Sequence, residues 1–194
     1  LSKIMSNPFC LGGAKFRQRD YEGYADTVYL GCYKRKEVQN NFFFDEKYDG
    51  ISEDADFNFN LTKSGHQTYI SSKIKVYYYC RETFIQYFKL MFIYGVGRGL
   101  FFVKNKTFTS LRQIIFPISA ILILILLITG FFVISLYLLS SYLILLFFVS
   151  SYFEKYRILN VIKLFYGLLG THIMWTFGFL YSLKALLYNR LSKE

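Results

Sequence analysis

The chain has 194 residues, of which 54% are hydrophobic and 21% aromatic, and it carries 23 Lys and Arg against 13 Asp and Glu. This composition excludes an intrinsically disordered chain, and three cysteines with two distant histidines exclude a disulfide scaffold or a zinc module. Positions 1–112 hold 17 of the basic and 11 of the acidic residues, whereas 113–153 holds none. The sequence therefore predicts a soluble part followed by a membrane part.

Short strands and helices alternate in the first 81 residues. Ser52 and Gly65 are favourable residues for the start and end of a helix of about three turns. β-prone runs that end at turn residues predict strands. The predicted elements are strands at 26–31, 67–70 and 74–78 and helices at 34–38 and 52–65. We therefore expect an α/β fold in which a mixed sheet is covered by helices.

Residues 82–112 combine aromatic and basic side chains. Between Phe57 and Arg112 there are nine basic residues and one acid, Glu82. Basic residues mixed with aromatic ones also occur in proteins that bind nucleic acid. Because apolar membrane segments follow directly, we expect an interfacial helix on an anionic membrane surface and no nucleic acid partner.

Residues 113–194 contain three candidate membrane spans. The 41 uncharged residues 113–153 supply two spans of roughly 20 residues each, about 113–130 and 131–153, which meet near Thr129–Gly130. A third apolar run, 164–183, lies between Lys163 and Lys184. We therefore divide the chain into 1–81, 82–112 and 113–194.

Positive charge predicts the orientation of these spans. Basic residues precede the first span and separate the second from the third: Lys104, Lys106, Arg112, Lys155, Arg157 and Lys163. Lys and Arg are enriched in the cytoplasmic loops that flank membrane spans. We therefore expect a multi-pass plasma-membrane protein whose soluble part is cytoplasmic. Lys184, Arg190 and Lys193 oppose a full crossing by the third run. His172, in that run, is either a functional group or a neutral imidazole bonded to a neighbouring helix.

Three acids begin the predicted helix after Ser52, namely Glu53, Asp54 and Asp56. A carboxylate at a helix start is kept ionised by the helix dipole and can serve as a general base. The alternative is ordinary, because acids favour the first helical turn in any protein.

The order of motifs resembles the second half of family 2 glycosyltransferases, in particular the membrane-bound exopolysaccharide type similar to succinoglycan biosynthesis enzymes. The motifs are Gly12-Gly13, Asp26 to Gly31, Lys34-Arg35-Lys36-Glu37, Phe44-Asp45-Glu46, Glu53-Asp54-Ala55-Asp56-Phe57, Lys63-Ser64-Gly65 and the closing His172 to Gly178. The resemblance covers nearly the whole chain and is specific through this order. It implies a GT-A catalytic domain that transfers a sugar from a nucleotide sugar to a glycan or lipid-linked acceptor with inversion.

The resemblance also implies roles for single residues. Asp54 takes the position of the catalytic base, and Glu53 orients or tunes it. Gly31, Cys32 and Tyr33 line the acceptor side.

Processive relatives carry Gln-x-x-Arg-Trp, whose arginine contacts the donor pyrophosphate. The nearest string here starts at Gln86 and places Lys89 at the arginine position, where lysine keeps the charge but loses the bidentate fork. Arg98 is a second candidate for this contact.

The nucleotide-binding half of the family has no counterpart in this chain. Residues 54–56 spell Asp-x-Asp, but they follow the acceptor-side motifs and start a helix, whereas the family motif ends a strand. We therefore expect the Mg²⁺ or Mn²⁺ ligands in a separate or missing amino-terminal half and none in this chain. The alternative interpretation is a noncatalytic membrane protein or accessory subunit whose basic face binds lipid or a partner. The sugar, acceptor, linkage and processivity are not encoded in any recognisable motif.

Overall fold

The computed structural model describes residues 1–191 except 12, 19, 37, 39–43, 49, 109 and 110, and for residues 47, 112 and 185–191 it describes the backbone only. The helices are α1 (Ser2–Met5), α2 (Glu53–Lys63), α3 (Phe84–Asn105), α4 (Arg112–Ile128), α5 (Phe132–Phe153) and α6 (Ile158–Leu191), and the strands are β1 (Gly23–Ala25) and β2 (Thr68–Ile70). The described part of the chain is therefore mostly helical, with one small two-stranded sheet. The predicted GT-A-like architecture remains a prediction.

The sheet is smaller than the sequence predicts. Strand β2 lies within the predicted strand 67–70, and it pairs antiparallel with β1. The prediction of a strand at 26–31 is wrong, because β1 ends at Ala25 and residues 26–31 form no strand. The prediction of a strand at 74–78 is wrong. Its alternating apolar side chains are not buried, since Ile74 is 77% and Val76 53% exposed, and no described strand lies beside them. Alternation indicates a strand only where one face is covered.

Helix α2 occupies the predicted position. Gly65 adopts φ +87° after its last turn, and the His66 amide donates to the Leu61 carbonyl at 3.0 Å, which closes the helix as expected for a glycine terminus. At the other end, Ser52 adopts φ +64° and its side chain does not cap the helix. The Ser52 hydroxyl instead lies against α3 at Gly97.

The predicted helix at 34–38 corresponds to one helical turn. The Val38 amide donates to the Lys34 carbonyl at 3.2 Å. Three residues on which the sequence predictions depend lie outside the described residues, namely Gly12, Glu37 and Lys193.

Helix α3 runs beside α6 with glycines at the contact. A Cβ at Gly95 would overlap the Trp175 carbonyl, a Cβ at Gly178 would overlap the Phe92 carbonyl, and Gly170 accommodates the Phe88 ring. From Phe88 at Gly170 to Gly99 at Ser182, the residue numbers of both helices increase along the contact, so the helices run parallel with a similar inclination. An in-plane α3 and a membrane-crossing α6, which the sequence predicts together, therefore exclude each other.

Helices α4 and α5 form a hairpin at the predicted place. The turn between Ile128 and Phe132 contains Gly130 at φ +85°, a conformation that favours glycine. Helix α5 and residues Ile158–Lys184 of α6 are long and apolar enough to cross a membrane, and Gln113–Ile128 is a shorter apolar helix. Length and composition thus suit a membrane protein, while the number of crossings and their orientation remain predictions.

The first residues of the chain attach to α5 and α6. Lys3 forms an ion pair with Glu154 at 2.8 Å, and the Phe9 carbonyl accepts from His172 Nε2 at 2.7 Å. His172 Nδ1 accepts from the Tyr142 hydroxyl at 2.7 Å. Both ring nitrogens are thereby bonded, which favours the interpretation of His172 as a bonded imidazole that joins two helices to the amino-terminal segment.

Candidate functional site

The first turn of α2 carries two acids that differ in their surroundings. Asp54 is exposed, and its Oδ1 accepts a hydrogen bond from the Ala55 amide at 2.7 Å. Glu53 is half-buried, and among the described residues its Oε2 is a buried oxygen that accepts no hydrogen bond. A buried oxygen without a donor is uncommon and costly. The exposed Asp54 carboxylate is therefore the one available to a molecule at the start of α2.

Asp56, the third acid, has a different environment because it is 1% exposed. Its carboxylate accepts hydrogen bonds from Lys104 at 2.7 Å, Asn105 at 2.8 Å, Tyr48 at 3.1 Å and Asn60 at 3.3 Å. Burial opposes the charge of Lys104, but its hydrogen bonds to Asp45 and Asp56 outweigh burial and raise its pKa. The ion pair therefore joins α2 to the end of α3.

This geometry does not suit a divalent cation at residues 54–56. Both Asp56 oxygens are occupied, one of them by the Lys104 ammonium, which would repel a metal ion. The described part of the chain contains no group of three or more His, Cys, Asp or Glu side chains that could hold a metal. The residues present thus do not fit the cation that the resemblance implies.

Asn58 connects the acids to the preceding loop, a role that sequence reasoning missed. It is fully buried, and its Nδ2 donates to the Asp54 carbonyl at 2.8 Å and to Thr27 Oγ1 at 3.3 Å. Its Oδ1 accepts from the Tyr33 hydroxyl at 3.1 Å. The only signal in the sequence is a poor helix former inside a helix, which is weak.

The three predicted acceptor-side residues lie in this loop. Gly31 and Cys32 are exposed, and Tyr33 is half-buried with its ring edge-on to Phe57 at a centroid distance of 4.9 Å. Burial raises the pKa of Tyr33, its hydrogen bond to Asn58 opposes the shift, and the Asp54 charge adds to it. The structure therefore places Tyr33 near Asp54.

Of the three predicted pyrophosphate residues, Arg98 lies on the side of α3 that faces the acids. Its neighbour Gly97 packs on Ile51 and Ser52, where a Cβ would meet both side chains. The positive charge of Arg98 also opposes the rise in the pKa of Tyr48, whose main cause is burial. Arg98 thus lies close to the segment that leads into α2.

Lys89 and Gln86 are not brought to the acids. Both side chains are exposed. The backbone amide of Gln86 donates to Thr83 Oγ1 at 3.2 Å, which caps the start of α3. Lys89 precedes Arg98 by nine residues, which at about 100° per residue places the two on opposite faces of the helix.

Sequence reasoning also missed Arg17, a cation whose charge acts on Tyr94, as that of Asp54 does. Its guanidinium lies 5.5 Å from the centre of the Tyr78 ring. Burial raises the pKa of Tyr94, the Tyr78 and Asp54 charges raise it further, and the Arg17 charge opposes them. Arg17 and Tyr78 therefore lie close to Tyr94, and the Asp54 charge also acts on it, although no motif connects these residues in sequence.

Comparison with known proteins found a partial match. Succinoglycan biosynthesis protein ExoA of Rhizobium meliloti (strain 1021) is 32% identical to the chain over 104 residues, which are 54% of this chain and 31% of that protein. No protein-family model and no solved structure matches the chain. The match thus spans less than a third of its curated relative.

Proposed function

We propose that the chain forms the acceptor-side and membrane part of an inverting glycosyltransferase that acts in exopolysaccharide synthesis. One observation carries this proposal: Asp54 presents an exposed carboxylate at the start of α2, while Asp56, two residues on, is bound by Lys104. Similarity to a succinoglycan biosynthesis protein over about half of the chain supports the same class of reaction.

Asp54 acts as the general base in this mechanism. It accepts the proton of an acceptor hydroxyl while that oxygen attacks the anomeric carbon of the donor sugar. The attack comes from the face opposite the bond between the sugar and the nucleoside diphosphate, and that bond breaks with its electron pair on the diphosphate. The configuration at the anomeric carbon therefore inverts. A positioned base supplies typically about 10²- to 10⁴-fold in rate.

Neighbouring residues position the reactants. Glu53 orients or tunes the Asp54 base, and Tyr33 lines the acceptor side with Gly31 and Cys32. Arg98, and not Lys89, faces the charge that develops on the leaving diphosphate. Since the acids do not fit a metal ion, we propose that the nucleotide is held by another part of the enzyme, formed outside these residues.

The apolar helices support a position of this site beside a membrane. A lipid-linked or membrane-emerging glycan could then reach Asp54 without leaving the membrane surface, and we propose a cytoplasmic active site at the plasma membrane.

The test uses membranes from cells that express the native locus, including the DNA upstream of the Leu1 codon. With radiolabelled nucleotide sugars, these membranes should transfer label to polysaccharide or lipid, and membranes with a stop codon in place of Leu1 should not. The anomeric configuration of the product, read by NMR, should be opposite to that of the donor. Equal transfer by both membranes would contradict the proposal and favour an accessory role, and retained configuration would contradict inversion.

A further inference from the structure

Two adjoining apolar grooves lie between α3 and α6, away from the acids. Their volumes are about 490 and 480 Å³, within the range of about 300–1,000 Å³ that is typical of ligand sites. The first is lined by Phe92, Met174, Phe177, Leu180, Tyr181 and Lys184, and the second by Ile85, Phe88, Lys89, Phe92, Ile93 and Met174. Because Phe92 and Met174 line both, the grooves form one continuous apolar surface with a lysine in each part.

Each part of this surface carries one lysine, Lys89 or Lys184. Within the described part of the chain, neither Lys89 nor Lys184 forms an ion pair. Lys89 lies on the face of α3 opposite Arg98, so it is remote from any diphosphate at the acids. Both ammonium groups are exposed and can reach an anionic group that lies in the groove.

We propose that this surface, the α3–α6 groove, binds an anionic phospholipid of the membrane. The acyl chains would lie on the apolar walls around Phe92 and Met174, and the headgroup phosphate would be bound by Lys89 or Lys184. The long alkyl stems of lysine can follow the groove walls while the ammonium reaches the headgroup layer.

Charge complementarity selects this occupant. A neutral lipid would cover the aromatic walls equally well but would leave both ammonium groups without a partner. An apolar protein helix would leave them unpaired too. This inference rests on the membrane association in the proposed function, and it needs no glycosyl transfer.

The test uses the full chain in nanodiscs of phosphatidylcholine that contain a trace of phosphatidylglycerol with a photoreactive acyl chain. Light should crosslink the lipid to peptides that contain Phe92 or Met174. Unlabelled phosphatidylglycerol should compete, whereas additional phosphatidylcholine should not. Equal competition by phosphatidylcholine would overturn the proposal, because the groove would then be ordinary lipid-facing surface.

Matched variants separate a site from general attraction to the membrane. Lys89→Ala and Lys184→Ala should each lower crosslinking about fivefold, the effect of one lysine near an anionic surface. Lys163→Ala changes an exposed lysine of the same helix that lines neither groove, and it should leave crosslinking unchanged. An equal loss with Lys163→Ala would contradict the site. Since no readout depends on transfer, failure here is distinguishable from failure of the proposed function.

Discussion

Replacing Asp56 by Asn should release α2 from the end of α3. The four side chains that donate to Asp56 all point at its carboxylate, and an amide offers one oxygen and a donor in place of two oxygens. At least two donors then lose their acceptor, and the ion pair with Lys104 is lost. Removing one partner of a buried pair costs about 3–5 kcal/mol. Because the Lys104 side chain is 40% exposed, we expect the lower end of that range.

Hydrogen–deuterium exchange of the peptide that covers α2 measures this loss. A change of about 3 kcal/mol lowers the protection of its amides by about a hundredfold or more when α2 opens as a unit. Asp45→Asn is the matched control, since Asp45 binds the same Lys104 atom at the same 2.7 Å but is 24% exposed against 2% for Asp56. The control should cost about 1 kcal/mol or less. Equal small losses in the two variants would refute the structural role assigned to Asp56.

Three further predictions concern the site and the topology. Gly97→Ala should lower transfer without unfolding the protein, because the added Cβ meets Ser52 and moves α3 from the acids; wild-type transfer rates would contradict this contact. The orientation can be tested by cysteine labelling in a variant whose native cysteines are replaced. Thr129→Cys in the hairpin turn should react with an impermeant maleimide on intact cells, and Lys73→Cys should react only after lysis. The reverse pattern would overturn the predicted orientation. The purified chain should fail to bind uridine diphosphate with Mn²⁺ in calorimetry, whereas micromolar binding would show that the chain contains its own nucleotide site.

Local signals predicted the helices well. The helix from Glu53 to Lys63 and the turn at Gly130 are both marked by residues whose backbone preference is strong, and neither depends on distant partners. Strands depend on a neighbour to pair with and a core to cover one face. Apolar residues alternate at 74–78 as they do in a half-buried strand, but no local rule shows whether a partner strand lies beside them.

The sequence alone indicates only part of the candidate site, because some of its contacts join segments that are distant in sequence. Asp54 and Tyr33 are motif residues, and the structure places them near each other. The buried Asn58 and the cation Arg17 contribute through contacts between segments far apart in sequence, which no single-sequence pattern reveals. Lys89 stands at the arginine position of Gln-x-x-Arg-Trp, but helical periodicity places it on the face of α3 opposite Arg98.

The proposed role of Asp54 as the base of a glycosyl transfer is tested most directly by Asp54→Asn. In membranes that express the native locus, transfer from radiolabelled nucleotide sugar should fall about 10²- to 10⁴-fold, while donor binding stays unchanged. Glu82→Gln, which neutralises an exposed acid that precedes α3 and belongs to none of the motifs, should retain wild-type transfer. If Asp54→Asn transfers sugar at the wild-type rate, Asp54 is not the base and the proposed mechanism is wrong.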